Sequence, residues 1–276
     1  MKLATIRTPL GTRAVRATDQ GYLDLGFRDV GALLAQEDWA SLAAEDGGTT
    51  CPADGVDLAP VVPGPGKVLC VGLNYRNHIL EMGRDLPEHP TLFAKFADAL
   101  IGARDDIDLA PESDCVDWEA ELAVVIGRTV RRADEQEAAD AIAGFTVMND
   151  VTMRDWQFRT KEWLQGKTFE GTTPLGPVLV TPDELEGGVA PALTMTCSVD
   201  GDVVQKADTS DLVFGPVDLV RYASTIMTLR PGDVIATGTP GGVGHARKPA
   251  RYLADGDTLV TEIDGIGRLK NVARAS

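Results

Sequence analysis

The stretch Asp117-Trp-Glu-Ala-Glu-Leu-Ala-Val-Val-Ile-Gly127 carries two patterns, one after the other. Asp117, Glu119 and Glu121 alternate with Trp118, Ala120 and Leu122, the period of a strand whose successive side chains point to opposite faces. From Leu122 to Ile126 the alternation gives way to an unbroken apolar run, the mark of a strand covered on both faces. The stretch predicts a strand over 119–126 with Trp118, Ala120 and Leu122 in the core and the acids on the other face. Acidic strand faces are ordinarily solvated. Acids that enter a doubly covered strand are costly unless paired or metal-bound. A further acid, Asp150, ends the short apolar strand 145–148. All-oxygen ligation of this type suits Mg2+, Mn2+ or Ca2+ rather than zinc. The residues alone nominate four carboxylates: Asp117, Glu119, Glu121 and Asp150.

Outward from this strand the chain divides near residue 64. Residues 1–63 read as a small N-terminal α/β domain and linker, and 64–276 as the catalytic domain. Strand-like runs at 1–7, 12–18 and 21–25 are broken by Pro-Leu-Gly and Asp-Gln-Gly turns, and 30–36 reads as a short helix. The stretch 43–55 is acidic, small and Gly-rich, and Pro60–Gly66 reads as a stiff linker. Beyond it, 67–72 is a buried strand, 134–143 a helix with an acidic first turn and Gly144 just past its end, and 217–227 a helix. A strand follows at 234–237, and 259–263 with 267–272 alternate like a hairpin around Asp264-Gly265. Strands dominate with a few helices between them, which predicts a β-rich α+β fold.

The 276 residues hold 42 acids and 26 bases, a net charge of −16. This argues against nucleic acid and anionic membranes as partners while leaving room for a small anionic substrate, provided a metal ion or clustered Lys and Arg reverse the field locally. No apolar run reaches the ~20 residues of a membrane span. The N-terminus lacks the features of a signal peptide, so a soluble, cytoplasmic protein is expected. Four cysteines without a C-x-x-C pair read as reduced and structural.

Further chemistry is suggested by His78, three residues before Glu81. On a helical turn the two side chains meet, and a carboxylate-oriented imidazole acts as a general base on water. The alternative is a surface histidine with a helical neighbour. Lys167, in Gln-Gly-Lys-Thr-Phe-Glu-Gly, is a candidate for a lysine that points into a site rather than to solvent. The Gly-rich stretch 232–244 brings backbone N–H groups near an anionic ligand but lacks the phosphate-loop pattern. His89 and His245 have no comparable context.

Taken together these residues resemble the fumarylacetoacetate hydrolase superfamily over roughly 67–273. The matching pieces, in order, are Gly72-Leu-Asn-Tyr75 with His78 and Glu81, Pro90-Thr-Leu-Phe93-Ala-Lys95, Asp117-Trp-Glu-Ala-Glu-Leu122, and Asn149-Asp150 with Arg154 and Gln157. Lys167 with Pro174-Leu-Gly-Pro177 follows, then Thr237-Gly-Thr-Pro-Gly-Gly-Val-Gly244 and Leu269-Lys-Asn271. The resemblance implies a mixed β-sandwich roll, a homodimer, and a Mg2+ ion (or Mn2+ or Ca2+) on Glu119, Glu121 and Asp150. It assigns catalytic roles to His78, Glu81 and Lys167, with the first two on a lid over the ligand. Tyr75, Lys95, Arg154, Gln157 and Thr239 become substrate-binding positions, and Asp117 moves to a supporting role. Three positions depart from the pattern: Leu73 where some acylpyruvate-hydrolysing relatives carry Arg, Phe96 where Pro is common, and Glu170 where many have Asp.

The activity so implied is hydrolysis of a C–C bond in a small β-diketo acid such as an acylpyruvate, by a His–Glu activated water and a metal-stabilised enolate. Decarboxylation or keto–enol isomerisation of a related oxo acid shares the enolate and needs no attacking water. A non-catalytic Ca2+-binding module is the rival from another class.

Overall fold

The strand predicted over 119–126 spans Ala120–Ile126, and every residue of it is buried. It pairs antiparallel with Ile142–Asn149 on one side and Val234–Ala236 on the other. Leu122, Val124 and Ile126 enter one hydrophobic core with Trp118 and Ala120, while Ala123 and Val125 enter a second. Glu119 and Glu121 share their parity with Ala123 and Val125, so the acids continue the face of the second core. The structure, a computed structural model, describes residues 1–81 and 83–275, the side chain of Glu81 excepted.

The main sheet runs in the order Thr50–Cys51, Gly21–Asp24, Gly11–Thr18, Lys2–Thr8, Thr173–Val180, Ile142–Asn149, Ala120–Ile126, Val234–Ala236, Val68–Gly72, Thr91–Lys95. It is mixed, since Val234–Ala236 lies parallel to Val68–Gly72 while its other neighbour is antiparallel. A smaller sheet orders Asp202–Asp208, Thr194–Val199, Thr258–Ile263, Gly267–Ala275 and Ile107–Leu109. The first core lies between the sheets, where Leu122, Phe145 and Val147 meet Cys197, Leu259 and Leu269. The second covers the opposite face, where Val30, Leu33, Leu34, Val61 and Val62 pack on Ala123, Val125 and Met148. The result is the β-rich fold that the residues predict, in the mixed sandwich form that the resemblance implies.

The first strands are part of this sheet: Lys2–Thr8 pairs with Thr173–Val180 through Lys2↔Val180 and Leu3↔Leu179. The sheet therefore crosses the boundary expected near residue 64. Val61 and Val62 are buried, so the Pro60–Gly66 stretch is packed on the sheet along part of its length.

The stretch 43–55 contains the end of a helix, Trp39–Ala44, and a short strand, Thr50–Cys51. One local expectation is corrected. The helix expected over 134–143 is only Glu135–Asp140, capped by the Asp134 and Glu137 side chains. Ile142, Ala143 and Gly144 belong instead to the strand Ile142–Asn149. Gly144 is needed there because a Cβ would stand 2.2 Å from the Val180 carbonyl oxygen of the neighbouring strand.

Candidate active site

The acids gather at the end of the central strands. Glu119, Glu121 and Asp150 each offer an oxygen to a common point, with these atoms all within 4.8 Å of one another, and all three residues are buried. The backbone dictates this arrangement. Asp150 N–H donates to the Glu119 carbonyl at 2.8 Å, and Glu119 N–H donates to Asn149 Oδ1 at 2.9 Å, locking the two segments in register. Asn149 in turn donates to Thr261 Oγ1 at 2.9 Å on the second sheet.

Buried cations are interleaved with these acids. Lys167 Nζ lies 2.6 Å from Glu119 and 2.7 Å from Asp150. Lys95 Nζ lies 2.7 Å from the other Asp150 oxygen and donates to the Val151 carbonyl at 3.0 Å. Arg154 reaches Glu119 through Nη1 at 2.7 Å and Asp117 through Nε at 2.8 Å. Lys167 comes this deep because Gly166 lets its short helix, Leu164–Lys167, press on the preceding one; a Cβ there would be 2.5 Å from Gln157 N and Met153 O.

Asp117 is not a member of the metal-type cluster. The extended chain breaks between Val116–Asp117, which pairs with Thr152–Met153, and Ala120–Ile126. Its Oδ1 accepts from Trp118 N–H and Gly244 N–H, and its Oδ2 from Arg154 and His245 N–H. Asp117 thus ties the Gly-rich loop to Arg154. Strand periodicity alone gave no sign of this role.

Gln205, Asn74 and Asp117 are the supporting residues that sequence reasoning left without a partner. Gln205 accepts from Ala120 N–H at 3.0 Å and donates to Thr239 Oγ1 at 2.9 Å, fixing the loop on the strand. Asn74 donates to the Phe214 and Thr237 carbonyls and accepts from Phe214 N–H. Leu73 just before it takes a left-handed backbone (φ 56°), uncommon for a side chain of this kind, and turns the chain from strand Val68–Gly72 toward helix Arg76–Glu81.

A cavity of about 340 Å³ opens over the cluster, lined at its polar end by Glu119, Glu121, Arg154, Gln157, Lys167 and Thr239. Its walls are largely apolar, with Val71, Leu73, Phe93, Trp163 and Val243, and His78, Arg84 and His245 also line it. Trp163 fits because Gly72 has no side chain; a Cβ there would be 2.4 Å from the indole. His78 also lines a second, polar cavity beside Tyr75, Lys206, Asp208 and Asp211. Of the residues singled out in the sequence, the structure brings Glu119, Glu121, Arg154, Gln157, Lys167, Thr239 and His78 to one cavity. Lys95 stands behind Asp150, and Tyr75 lines the second cavity, its buried hydroxyl lacking a hydrogen-bond partner among the described residues. The Glu81 side chain lies outside the described residues.

The electrostatics of this end decide what it can hold. Asp117, Glu119, Glu121 and Asp150 face Lys95, Lys167 and Arg154, all buried, a formal excess of one acid when every group is counted as charged. Burial pushes the Glu121 carboxyl well above the usual carboxylate range, with repulsion from Asp150 and Glu119 adding to it. Asp150 is also penalised by burial, yet Lys167 and Lys95 outweigh this and hold it below its ordinary value. Burial likewise works against the Lys167 charge, and Asp150 and Glu119 more than restore it. Among the described residues no lysine or arginine forms an ion pair with Glu121; its Oε2 accepts Gly238 N–H at 2.7 Å. A buried, under-compensated set of three carboxylate donors fits a hard divalent cation. Such an ion would turn the local excess from negative to positive and so attract an anion.

A sandwich of this topology with a carboxylate cluster and buried lysines at one end defines a class. The family model for the fumarylacetoacetate (FAA) hydrolase C-terminal domain matches residues 67–274, and the chain belongs to that family. It is an enzyme, as members of this family are. The mitochondrial oxaloacetate tautomerase fahd2 of Xenopus laevis is 45% identical over 216 residues, covering 78% of this chain and 67% of that protein. Among solved structures, the fumarylacetoacetate hydrolase of Exiguobacterium antarcticum superposes with a TM-score of 0.89 at 32% identity over 100% of both chains. The 2-hydroxyhepta-2,4-diene-1,7-dioate isomerase of Mycobacterium marinum does so with 0.80 at 31%, over 100% of this chain and 99% of that one.

Proposed function

We propose that the enzyme interconverts the keto and enol forms of a small 2-oxo dicarboxylate of the oxaloacetate type, with Mg2+ on Glu119, Glu121 and Asp150. The observation that carries this reading is the cavity end itself, where buried carboxylates and buried cations stand together at the foot of an apolar pocket. The relative at 45% identity, an oxaloacetate tautomerase, supports the substrate class. When bound, the ion supplies Lewis acidity that lowers the cost of negative charge on an enolate oxygen. Among the described residues Arg154 Nη2 is buried without a partner, which offers it to a substrate carboxylate. Lys167 uses two of its three N–H donors on Glu119 and Asp150 and keeps the third for the oxygen on which charge develops. His78 takes and returns the proton, with Glu81 as its orienting carboxylate, and His78→Ala is expected to cut turnover by about 10²–10⁴-fold.

Hydrolysis of an acylpyruvate is the second reading. It is favoured by one observation: His78 lines two cavities, the apolar-walled one over the cluster and a polar space able to hold a nucleophilic water. The Mg2+-loaded enzyme should be given enol-oxaloacetate, keto-oxaloacetate and acetylpyruvate side by side, with ketonisation, pyruvate release and acetate release followed separately. Ketonisation at least tenfold faster than the other two is expected, and acetate release as the fastest reaction would overturn the first reading in favour of the second.

Action as a homodimer is part of the same proposal. Phe96 and Phe158 are 55% and 57% exposed, and they offer apolar surface to a second copy. Cytoplasmic location is likewise part of it, although the Xenopus relative is a mitochondrial protein by name. Among the described residues no helix is long and apolar enough to cross a membrane.

A further inference from the structure

We propose that His245, held in place by Tyr252, receives the distal carboxylate of the substrate and selects dicarboxylic over monocarboxylic 2-oxo acids. This rests on the oxo-dicarboxylate reading of the cavity. A ligand whose 2-oxo acid group sits at Arg154 and Lys167 meets the apolar walls Leu73, Phe93, Trp163 and Val243 along its length. Apart from Arg154 and Lys167, the cationic and imidazole groups that line the cavity are His78, Arg84 and His245. Of these, His78 is assigned to proton transfer.

His245 is exposed, yet its ring is fixed from several sides. Its backbone N–H donates to Asp117 Oδ2 at 3.0 Å, so the residue is anchored to the same carboxylate that holds Arg154. Its Nδ1 lies 2.8 Å from the Tyr252 hydroxyl. The ring of Phe158, itself a cavity residue, lies 5.4 Å away at an interplanar angle of 36°. A surface histidine with no task needs no such restraint. Among the described residues Nε2 has no hydrogen-bond partner; in the tautomer whose Nδ1 accepts from the Tyr252 hydroxyl, the ring N–H is the one on Nε2. An N–H held in place on the wall of the same cavity matches a carboxylate oxygen. Tyr252 is then a positioning residue, acting through the imidazole.

The test compares oxaloacetate with its 4-ethyl ester, in which the distal carboxylate is capped as an uncharged ester, on the Mg2+-loaded full chain. Wild type, His245→Leu, His245→Gln and Tyr252→Phe are assayed for KM and kcat, and the dissociation constants of both compounds are measured by calorimetry. His245→Leu is expected to raise KM and Kd for oxaloacetate by about 10–100-fold, the worth of a hydrogen bond to a charged group. It should leave kcat within about threefold and leave the ester unaffected. His245→Gln, which keeps an N–H donor, should recover part of the loss, and Tyr252→Phe should show a smaller rise confined to the diacid. An equal loss for diacid and ester, or no loss for either, would overturn the proposal. A His245-dependent preference for binding the diacid without any turnover would instead support this site and overturn the enolisation reading.

Discussion

Replacing Lys167 with methionine puts the charge balance of the cluster on trial. Lys167 is 1% exposed, and its Nζ lies 2.6 Å from Glu119 and 2.7 Å from Asp150. The substitution keeps most of the side-chain volume and leaves the four buried acids facing only Lys95 and Arg154. Removing one partner of a buried ion pair costs about 3–5 kcal/mol, because the other charges stay buried without compensation. At roughly 2–4 °C per kcal/mol, the variant should melt about 6–20 °C below wild type in the presence of a chelator. A divalent ion on the cluster would compensate the same carboxylates, and at about 100 times its Kd it would add roughly 2.7 kcal/mol to any form that binds it. Because the variant carries the larger negative excess, Mg2+ should raise its melting temperature more than it raises that of wild type. Near-ultraviolet circular dichroism melts, with and without Mg2+, read both quantities. A variant that melts within about 2 °C of wild type in chelator, or an equal Mg2+ shift for both proteins, would refute the reasoning.

Two further predictions follow from neighbouring atoms. The Glu121 carboxyl is raised by burial and by Asp150 and Glu119, so the folded metal-free protein holds this proton more tightly than the unfolded chain does. The stability so contributed is complete below the ordinary carboxylate value and is lost as pH rises through the raised one. Metal-free wild type should therefore lose melting temperature over that rise, and Glu121→Gln should lack that slope and bind no Mg2+. Gly166→Ala places a Cβ 2.5 Å from Gln157 N and Met153 O, so the helix bearing Lys167 must shift. We expect a stability loss of about 1–3 kcal/mol by thermal melting, together with a larger proportional loss of turnover in the oxaloacetate assay.

How much of this was legible in the sequence differs from element to element. The strand at Ala120–Ile126 was read almost to the residue, because burial on both faces leaves an unbroken apolar run that few other structures produce. The helix expected over 217–227 spans Pro216–Ile226, and the terminal hairpin pairs Thr258–Ile263 with Gly267–Ala275. Gly144 was misread as a helix stop, because a glycine that ends a helix and one that makes room for a neighbouring carbonyl look alike in one dimension. The two-residue strand Thr50–Cys51 forms by pairing with Gly21–Asp24 and leaves no local signal of its own.

In the site, alternation correctly grouped Glu119 with Glu121 but extended the group to Asp117. A break in the chain at Trp118 and Glu119 hands Asp117 to Arg154 and the Gly-rich loop. That Lys95 and Lys167 grip opposite oxygens of Asp150 depends on packing between segments far apart in the chain, which no spacing rule encodes. His245 was left without a role for the same reason. Its Asp117 contact spans 128 residues, and its other ring neighbour is Phe158.

The central claim is that one divalent ion on Glu119, Glu121 and Asp150 makes this cavity an enolising site. The most direct test titrates metal-stripped enzyme with Mg2+ while calorimetry counts bound ions and the decay of enol-oxaloacetate absorbance measures turnover in parallel samples. The account predicts about one ion per chain, turnover rising in proportion to the bound ion, and both lost in Asp150→Asn, as expected of a carboxylate ligand to a hard cation. Turnover at full rate in the stripped enzyme, or an ion still bound with unchanged affinity by Asp150→Asn, would contradict it.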